Sequence, residues 1–164
     1  MFRNVYFLSQ RQAEKIEGRK DLSVVSIHAR HQPPRFQGSF ADVLHLSFDD
    51  HDPERDGMDA LQEKFSVKHA DALKSWLEPY LQAHDTYHLL VHCHAGISRS
   101  AAIAWWMHQA HGAKLRTTYP PCYLNRHVLR VLDPTIKPPP MPVDALQMPP
   151  SRDLELPPNF DEDD

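Results

Sequence analysis

Residues 89–106 read LLVHCHAGISRSAAIAWW, and this stretch decides the fold class. The apolar run at residues 88–92 predicts a buried strand. Residues 98–111 are rich in Ala, Trp and Met and contain no helix breaker, and Gly112 follows where a helix commonly ends. A buried strand that runs into a helix through a short loop is typical of an α/β fold.

The chain on either side of this stretch predicts more strands and helices in alternation. Ser9 and Gln12 have the spacing of a capping box, and Ser66 is a candidate break that caps a second helical piece. We expect a central, mostly parallel sheet of four to five strands flanked by helices, with a surface loop at residues 49–57. The other predicted elements are strands at residues 5–8, 22–27 and 43–48 and helices at residues 9–18, 61–81 and 123–132.

Composition excludes several classes of protein. With 164 residues, 41% hydrophobic and 24% charged, the chain suits one soluble domain, and five glycines exclude a collagen-like protein. A net charge of -4 argues against a nucleic-acid partner, and no stretch approaches the roughly 18 apolar residues of a membrane span. Two cysteines cannot form a disulfide framework, and the first 20 residues lack a signal-peptide pattern. We therefore expect a cytoplasmic protein that binds neither nucleic acid nor membrane.

The C-terminal region differs in composition from the rest of the chain. Nine of the 15 prolines lie between residues 134 and 158, which predicts extended backbone. The last fourteen residues hold six acidic residues and one arginine, so 16 acidic and 17 basic residues remain in the first 150. These patterns predict a folded domain at residues 1–133 and a proline-rich, acidic tail at residues 134–164. The tail is either a solvating segment, a ligand for a protein partner or a strap over the domain surface.

The loop between the predicted strand and helix has the features of an anion site. Backbone N–H groups of such a loop converge with the first turn of the helix and the positive end of its dipole. Arg99 supplies a planar fork that matches two phosphate oxygens, and Gly96 tolerates unusual backbone angles. We call residues 93–99 the cradle and predict that its phosphate-binding residues are His94, Ala95, Gly96, Ile97, Ser98 and Arg99.

The same arrangement acts on Cys93, which ends the predicted strand. Converging donors and positive potential favour the thiolate over the thiol. A thiolate held against a bound phosphorus is arranged for covalent phosphoryl transfer. The alternative interpretation makes Cys93 a small, buried hydrophobic residue.

Residues 92–100, HCHAGISRS, resemble the His-Cys-x5-Arg signature of the cysteine-dependent protein tyrosine phosphatase superfamily. The form is closest to the dual-specificity branch and to the small bacterial tyrosine phosphatases. The clear match covers nine residues, and a weaker similarity extends over residues 24–132. The resemblance implies a phosphatase domain that hydrolyses phosphotyrosine in proteins, without metal or cofactor, through a phosphocysteine intermediate. Phosphoserine and phosphothreonine stay open as substrates.

The resemblance also implies a role for each matching residue. Cys93 attacks phosphorus, Arg99 holds the equatorial oxygens, and Ser100 donates a hydrogen bond to the departing sulfur. His92 supports the shape of the loop without exchanging protons with the substrate. Cys122 is either an ordinary buried thiol or, as in some family members, a protective disulfide partner of Cys93.

The general acid of this family is an aspartate on a loop before the cysteine. The usual spacing leads to Asp59, where a helix-capping role competes. The segment SFDDHD at residues 47–52 follows the third strand and supplies a better chemical candidate, since crowded carboxylates favour a protonated member. We name residues 47–52 the acid loop, with Asp50 as first choice, Asp49 as second and Asp52 as a further candidate.

Other functions and sites stay open at this stage. A non-catalytic phosphate-binding module and a rhodanese-like sulfurtransferase also use such a loop, and the same chemistry can act on a phosphoinositide or an RNA 5′-phosphate. The loop lacks the lysines of lipid-directed relatives. Twelve histidines suggest metal pairs, but no recognisable ligand set completes them, so we predict no metal site. Asn125 is interpreted as a helix cap or loop anchor.

Overall fold

The computed structural model describes residues 1–58, 62–116 and 120–141. Five strands form one sheet in the order β3-β2-β4-β1-β5, and every pair of neighbours is parallel. The predicted α/β class with helices flanking a central sheet is confirmed. The strands are β1 (Phe2–Ser9), β2 (Leu22–Ile27), β3 (Asp42–Leu46), β4 (Tyr87–Cys93) and β5 (Lys114–Arg116), and the helices are α1 (Gln10–Ala13), α2 (Pro53–Asp56), α3 (Val67–Gln82), α4 (Arg99–His111) and α5 (Arg126–Leu132).

The central strand β4 is buried on both faces of the sheet. Leu89 and Val91 face the larger core, which includes residues of α3, α4 and α5, whereas Leu90 faces a smaller core that includes Ala13 of α1. All three β4 side chains have no exposed surface. A strand that is covered on both faces of a sheet has a continuous apolar run. This explains why the sequence of residues 88–92 predicts a buried strand.

The parallel arrangement gathers the predicted functional residues at one edge of the sheet. Cys93 ends β4 and is the register partner of Ser9, which ends β1. Strand β3 ends at Leu46 and leads directly into the acid loop. Because the carboxyl ends of parallel strands share an edge, the cradle and the acid loop meet there although they are far apart in sequence.

Two short elements were not predicted from sequence. Strand β5 has three residues and is the outermost strand of the sheet, where its one partner among the described strands is β1. Helix α2 is a single turn with Asp52 as its cap and Pro53 in its first turn, inside the segment predicted as loop. Elements this short carry too few residues to show a period.

Three predicted helices are shorter than expected. The predicted capping box of Ser9 and Gln12 is present, but α1 ends at Ala13. Helix α3 begins at Val67 with Ser66 as its cap, and residues 62–66 are not helical, so the candidate break is the start of the helix. Helix α5 begins after a 3-10 turn at Pro121–Tyr123.

The chain after α5 stays on the domain surface at first. Ile136 packs against the larger core, and Trp105 Nε1 donates a hydrogen bond to the Lys137 carbonyl at 2.9 Å. The boundary after residue 133 stays a prediction, and residues 142–164, which carry most of the predicted tail, lie outside the described residues. Within the described residues, no helix is both long and apolar enough to span a bilayer.

Candidate active site

The cradle begins at the end of β4 and reaches the first residue of α4. Gly96 has a φ of +70°, and a Cβ there would lie 2.2 Å from Ser9 N and 2.3 Å from the Leu8 carbonyl carbon. The Gln10 N–H donates a hydrogen bond to the His94 carbonyl at 3.3 Å. The turn from β1 to α1 therefore presses against the cradle, and only glycine meets both the angle and the space at position 96.

The Cys93 sulfur lies on the floor of the cradle with 2% of the residue exposed. The Gly96 N–H donates to Sγ at 3.3 Å, and the hydroxyl of the fully buried Ser100 lies 3.2 Å from the same sulfur. The structure thus brings Cys93 and Ser100 into contact. A hydrogen-bond donor directed at a cysteine sulfur stabilises negative charge on that sulfur, and a nucleophilic cysteine requires such a charge.

Arg99 begins α4 and is fixed by the acid loop. Its Nη1 donates a hydrogen bond to the Phe48 carbonyl at 2.8 Å. Its Nε is buried and has no hydrogen-bond partner among the described residues. A buried donor without an acceptor is uncommon in a folded protein. An oxyanion held by the cradle would satisfy this donor.

His92 precedes Cys93 and has no exposed surface. Its Nε2 lies 2.8 Å from Ser26 Oγ on β2, and its ring centroid lies 5.7 Å from that of Phe36. Burial lowers the pKa of His92 to about 4, so the ring is neutral at pH 7. A neutral ring between two strands and the cradle suits a structural role.

Acidification is expected to destabilise the fold through His92. Between pH 6.5 and pH 4 this histidine is protonated in the unfolded chain and neutral in the folded one, so stability falls as the pH drops through this window. Urea unfolding gives the free energy of unfolding at pH 7.5 and at pH 4.5. We expect this free energy to fall on acidification by about 2 to 3 kcal/mol more in the wild type than in His92→Gln. The exposed His84→Gln variant is the control and should lose as much as the wild type. Equal acid losses in the wild type and His92→Gln would contradict the prediction.

Asp50 reaches the cradle from the acid loop. Its Oδ1 accepts a hydrogen bond from Ser98 Oγ at 2.7 Å and another from Asn125 Nδ2 at 2.8 Å. Ser98 is the N-cap residue of α4, yet its hydroxyl makes no cap bond and donates to Asp50 instead. The first-choice acid is therefore in direct contact with the cradle.

The other two candidate acids have structural partners. Asp49 Oδ2 accepts a hydrogen bond from the Glu63 N–H at 2.7 Å. Asp52 is buried, caps α2 through the Glu54 N–H at 3.1 Å, and pairs with Arg130 at 2.7 Å. Asp59, the position given by the usual family spacing, lies outside the described residues.

The remaining sequence predictions concern three cradle residues, a disulfide between the two cysteines, and metal binding. His94 and Ala95 are exposed, and Ile97 is half-buried. Both cysteines are buried and unpaired, so the alternative of a Cys93–Cys122 disulfide is not formed here. In the part of the chain that the structure describes, no three metal-ligating side chains cluster.

The sequence does not predict three contacts of the site. The Phe48 carbonyl orients Arg99, Ser26 contacts His92, and Arg130 reaches Asp52. A backbone carbonyl leaves no signal in a sequence, and Ser26 and Arg130 are ordinary residues of a strand and a helix. Asn125 did leave a signal as a helix cap, and it does accept from the Val128 N–H at 3.0 Å.

Comparison with known proteins adds one distant likeness. No protein-family model matches the chain, and no curated protein matches it in sequence. Among solved structures, the chain is similar to the crystal structure of a variant of human DUSP28, with 20% sequence identity over 81% of this chain and 80% of that chain and a TM-score of 0.40. A likeness at this TM-score supports no inference about activity, which we take from the site itself.

Proposed function

We propose that this protein is a metal-independent, cysteine-dependent phosphatase that hydrolyses phosphotyrosine in proteins. One observation carries the proposal: a buried sulfur that accepts a cradle N–H lies at the start of the helix that begins with Arg99, and the buried Nε of Arg99 has no acceptor among the described residues. A tetrahedral dianion fits this combination, because it supplies the missing acceptor and places phosphorus within reach of the nucleophile.

The proposed reaction has two steps. The Cys93 thiolate forms a bond to phosphorus while the bond from phosphorus to the leaving oxygen breaks, and Asp50 donates its proton to that oxygen. Water then attacks the phosphocysteine and gives a proton to Asp50, and the bond between phosphorus and sulfur breaks. The products are the dephosphorylated side chain and inorganic phosphate. Ser100 hydrogen-bonds the departing sulfur, and Arg99 with the cradle amides stabilises charge in both steps.

The charge of the cradle and of the rest of the domain supports the proposed substrate class. Residues 94–98 contain no lysine, and the first 150 residues are nearly neutral, which favours a phosphoprotein over a phosphoinositide or an RNA 5′-phosphate. The chemistry requires a reduced thiol at Cys93, so we also propose a reducing, cytoplasmic location. Membership of the dual-specificity branch or of the small bacterial branch stays a prediction.

Turnover in the presence of a chelator tests the proposal. The purified protein should hydrolyse p-nitrophenyl phosphate in EDTA and, among phosphorylated probes, prefer a phosphotyrosine peptide to a phosphoinositide or an RNA 5′-phosphate. Peptides with phosphoserine and phosphothreonine establish whether specificity is dual. Binding of a phosphopeptide without turnover would indicate a binding module instead, and sulfur transfer from thiosulfate to cyanide would indicate a rhodanese-like enzyme.

Removal of the proposed acid should affect substrates unequally. Asp50→Asn keeps an oxygen for the contacts with Ser98 and Asn125 but has no proton to donate to the leaving group. We expect kcat for a phosphotyrosine peptide to fall about 100-fold, and kcat for an activated aryl phosphate to change by less than about threefold. The neighbouring variant Asp49→Asn is the matched control and should leave both substrates near wild type. A selective loss in Asp49→Asn instead would transfer the role to the second-choice residue.

A further inference from the structure

We propose that α5 holds the general acid in place, and that Asn125 and Arg130 are the positioning residues through which it does so. The inference rests on the proposed function, since it assigns a purpose to the contact between the acid loop and the cradle. It goes beyond that function because it explains how the free protein keeps the acid loop against the cradle.

Asn125 joins three parts of the site through one buried side chain and its backbone. It is 1% exposed, and its Oδ1 caps α5. Its Nδ2 donates to Asp50 Oδ1 at 2.8 Å and lies 3.3 Å from the His51 carbonyl. Its backbone N–H donates to the Ser98 carbonyl at 3.1 Å. Asn125 therefore fixes the start of α5, the end of the cradle and the acid loop relative to one another.

Arg130 makes a second attachment further along α5. Its Nη2 lies 2.7 Å from Asp52 Oδ1, and its Nη1 lies 2.9 Å from Glu54 Oε2. The Asp52 side chain is 6% exposed, so this ion pair is shielded from water on the acid side. The two attachments flank His51, and together they hold the acid loop on both sides of that residue.

These contacts select one oxygen of Asp50 for chemistry. Oδ1 accepts hydrogen bonds from both Ser98 and Asn125, and a carboxyl oxygen that accepts two donors is a poor site for a further proton. We assign the transferred proton to Oδ2. A carboxyl group fixed in this way needs no ordering when the substrate binds, which lowers the entropic cost of the transition state.

Two variants separate positioning from folding. Asn125→Ser retains an oxygen that caps α5 but loses the amide donor to Asp50, and Arg130→Gln removes the charge that pairs with Asp52. In both we expect kcat for a phosphotyrosine peptide to fall about tenfold, with kcat for an activated aryl phosphate within about twofold of wild type. The matched control is Arg19→Gln, which breaks an Arg19–Asp21 pair just before β2, at the opposite edge of the sheet. It should leave both rates unchanged.

The outcomes distinguish the two proposals. No metal-independent turnover in the wild type would overturn the proposed function. An active wild type with equal changes for both substrates in Asn125→Ser and Arg130→Gln, or with no change for either, would overturn the positioning role alone. Thermal unfolding of each variant confirms that the rates refer to folded protein.

Asn125→Asp supplies an independent readout. The substituted carboxylate would lie where the amide now donates to Asp50, so the two carboxyl groups would share a proton and hold it to higher pH. The charged groups held on the acid loop are the same in the variant and the wild type: Arg55 donates to the Asp50 carbonyl, Arg99 to the Phe48 carbonyl, and Arg130 pairs with Asp52. We expect the descending limb of the kcat/KM profile for the phosphotyrosine peptide to move to higher pH. An unmoved limb would contradict the assigned contact.

Discussion

Cys93→Ser should abolish turnover while leaving oxyanion binding intact. A serine hydroxyl is not ionised near neutral pH. Among the described residues, the hydrogen-bond partners of the sulfur are an N–H and a hydroxyl, and neither is a base that would remove the serine proton. We expect kcat to fall by about 10⁴-fold or more, equivalent to about 5 kcal/mol of transition-state stabilisation. The cradle amides and Arg99 are unchanged, so phosphate or vanadate should still bind, as measured by calorimetry.

Cys122→Ser is the matched control for this variant. Cys122 is the second buried, unpaired cysteine, and it lies in the 3-10 turn before α5 rather than in the cradle. The same substitution there should leave kcat within a few-fold of wild type. Residual turnover in Cys93→Ser comparable with wild type would show that the sulfur is not the nucleophile.

Arg99→Lys should lower both oxyanion binding and turnover although the positive charge is kept. The guanidinium uses Nη1 for the Phe48 carbonyl at 2.8 Å, and its Nε is buried without a hydrogen-bond partner among the described residues. A lysine ammonium is a compact point charge and cannot satisfy the carbonyl and span two phosphate oxygens together. We expect kcat/KM for p-nitrophenyl phosphate to fall about 10³-fold, with weaker binding of vanadate.

Arg19→Lys is the control for the change of side-chain type. Arg19 makes a bidentate contact with Asp21, and its replacement tests the loss of a forked ion pair outside the site. This variant should retain wild-type kinetics. If Arg99→Lys also retained them, charge alone would suffice and the forked geometry would have no catalytic role.

The parts of the fold that the sequence predicts well are those with long, uniform patterns. The strand expected at residues 22–27 is β2 with the same bounds, because every one of its residues is buried and the run is bordered by polar residues. Helix α4 ends at His111, as expected, and Gly112 follows it in the left-handed conformation that glycine favours. Strand β5 forms by pairing with β1, and its three residues are too few to show a strand pattern in the sequence.

For the candidate site, too, the sequence predicts the contacts between neighbouring residues and not those between residues far apart in the chain. Cradle residues lie next to one another in the chain, so their spacing reveals the loop and its glycine. The choice among Asp49, Asp50 and Asp52 depends on partners 14 to 78 positions away in sequence. Those partners become visible only when the sheet brings β3 and β4 to one edge. For Asn125, the sequence predicts the role as a helix cap but not the hydrogen bond to Asp50.

The contact of Trp105 with the Lys137 carbonyl bears on how the chain can be shortened for crystallisation. A truncation directly after residue 133 would remove Ile136 from the core and leave the indole N–H without its acceptor. A truncation after residue 141 preserves both and still discards five of the nine tail prolines and all six acidic residues of the last fourteen positions. The folded chain thus continues past Pro134, the first proline after α5, because a tryptophan on α4 holds the Lys137 carbonyl.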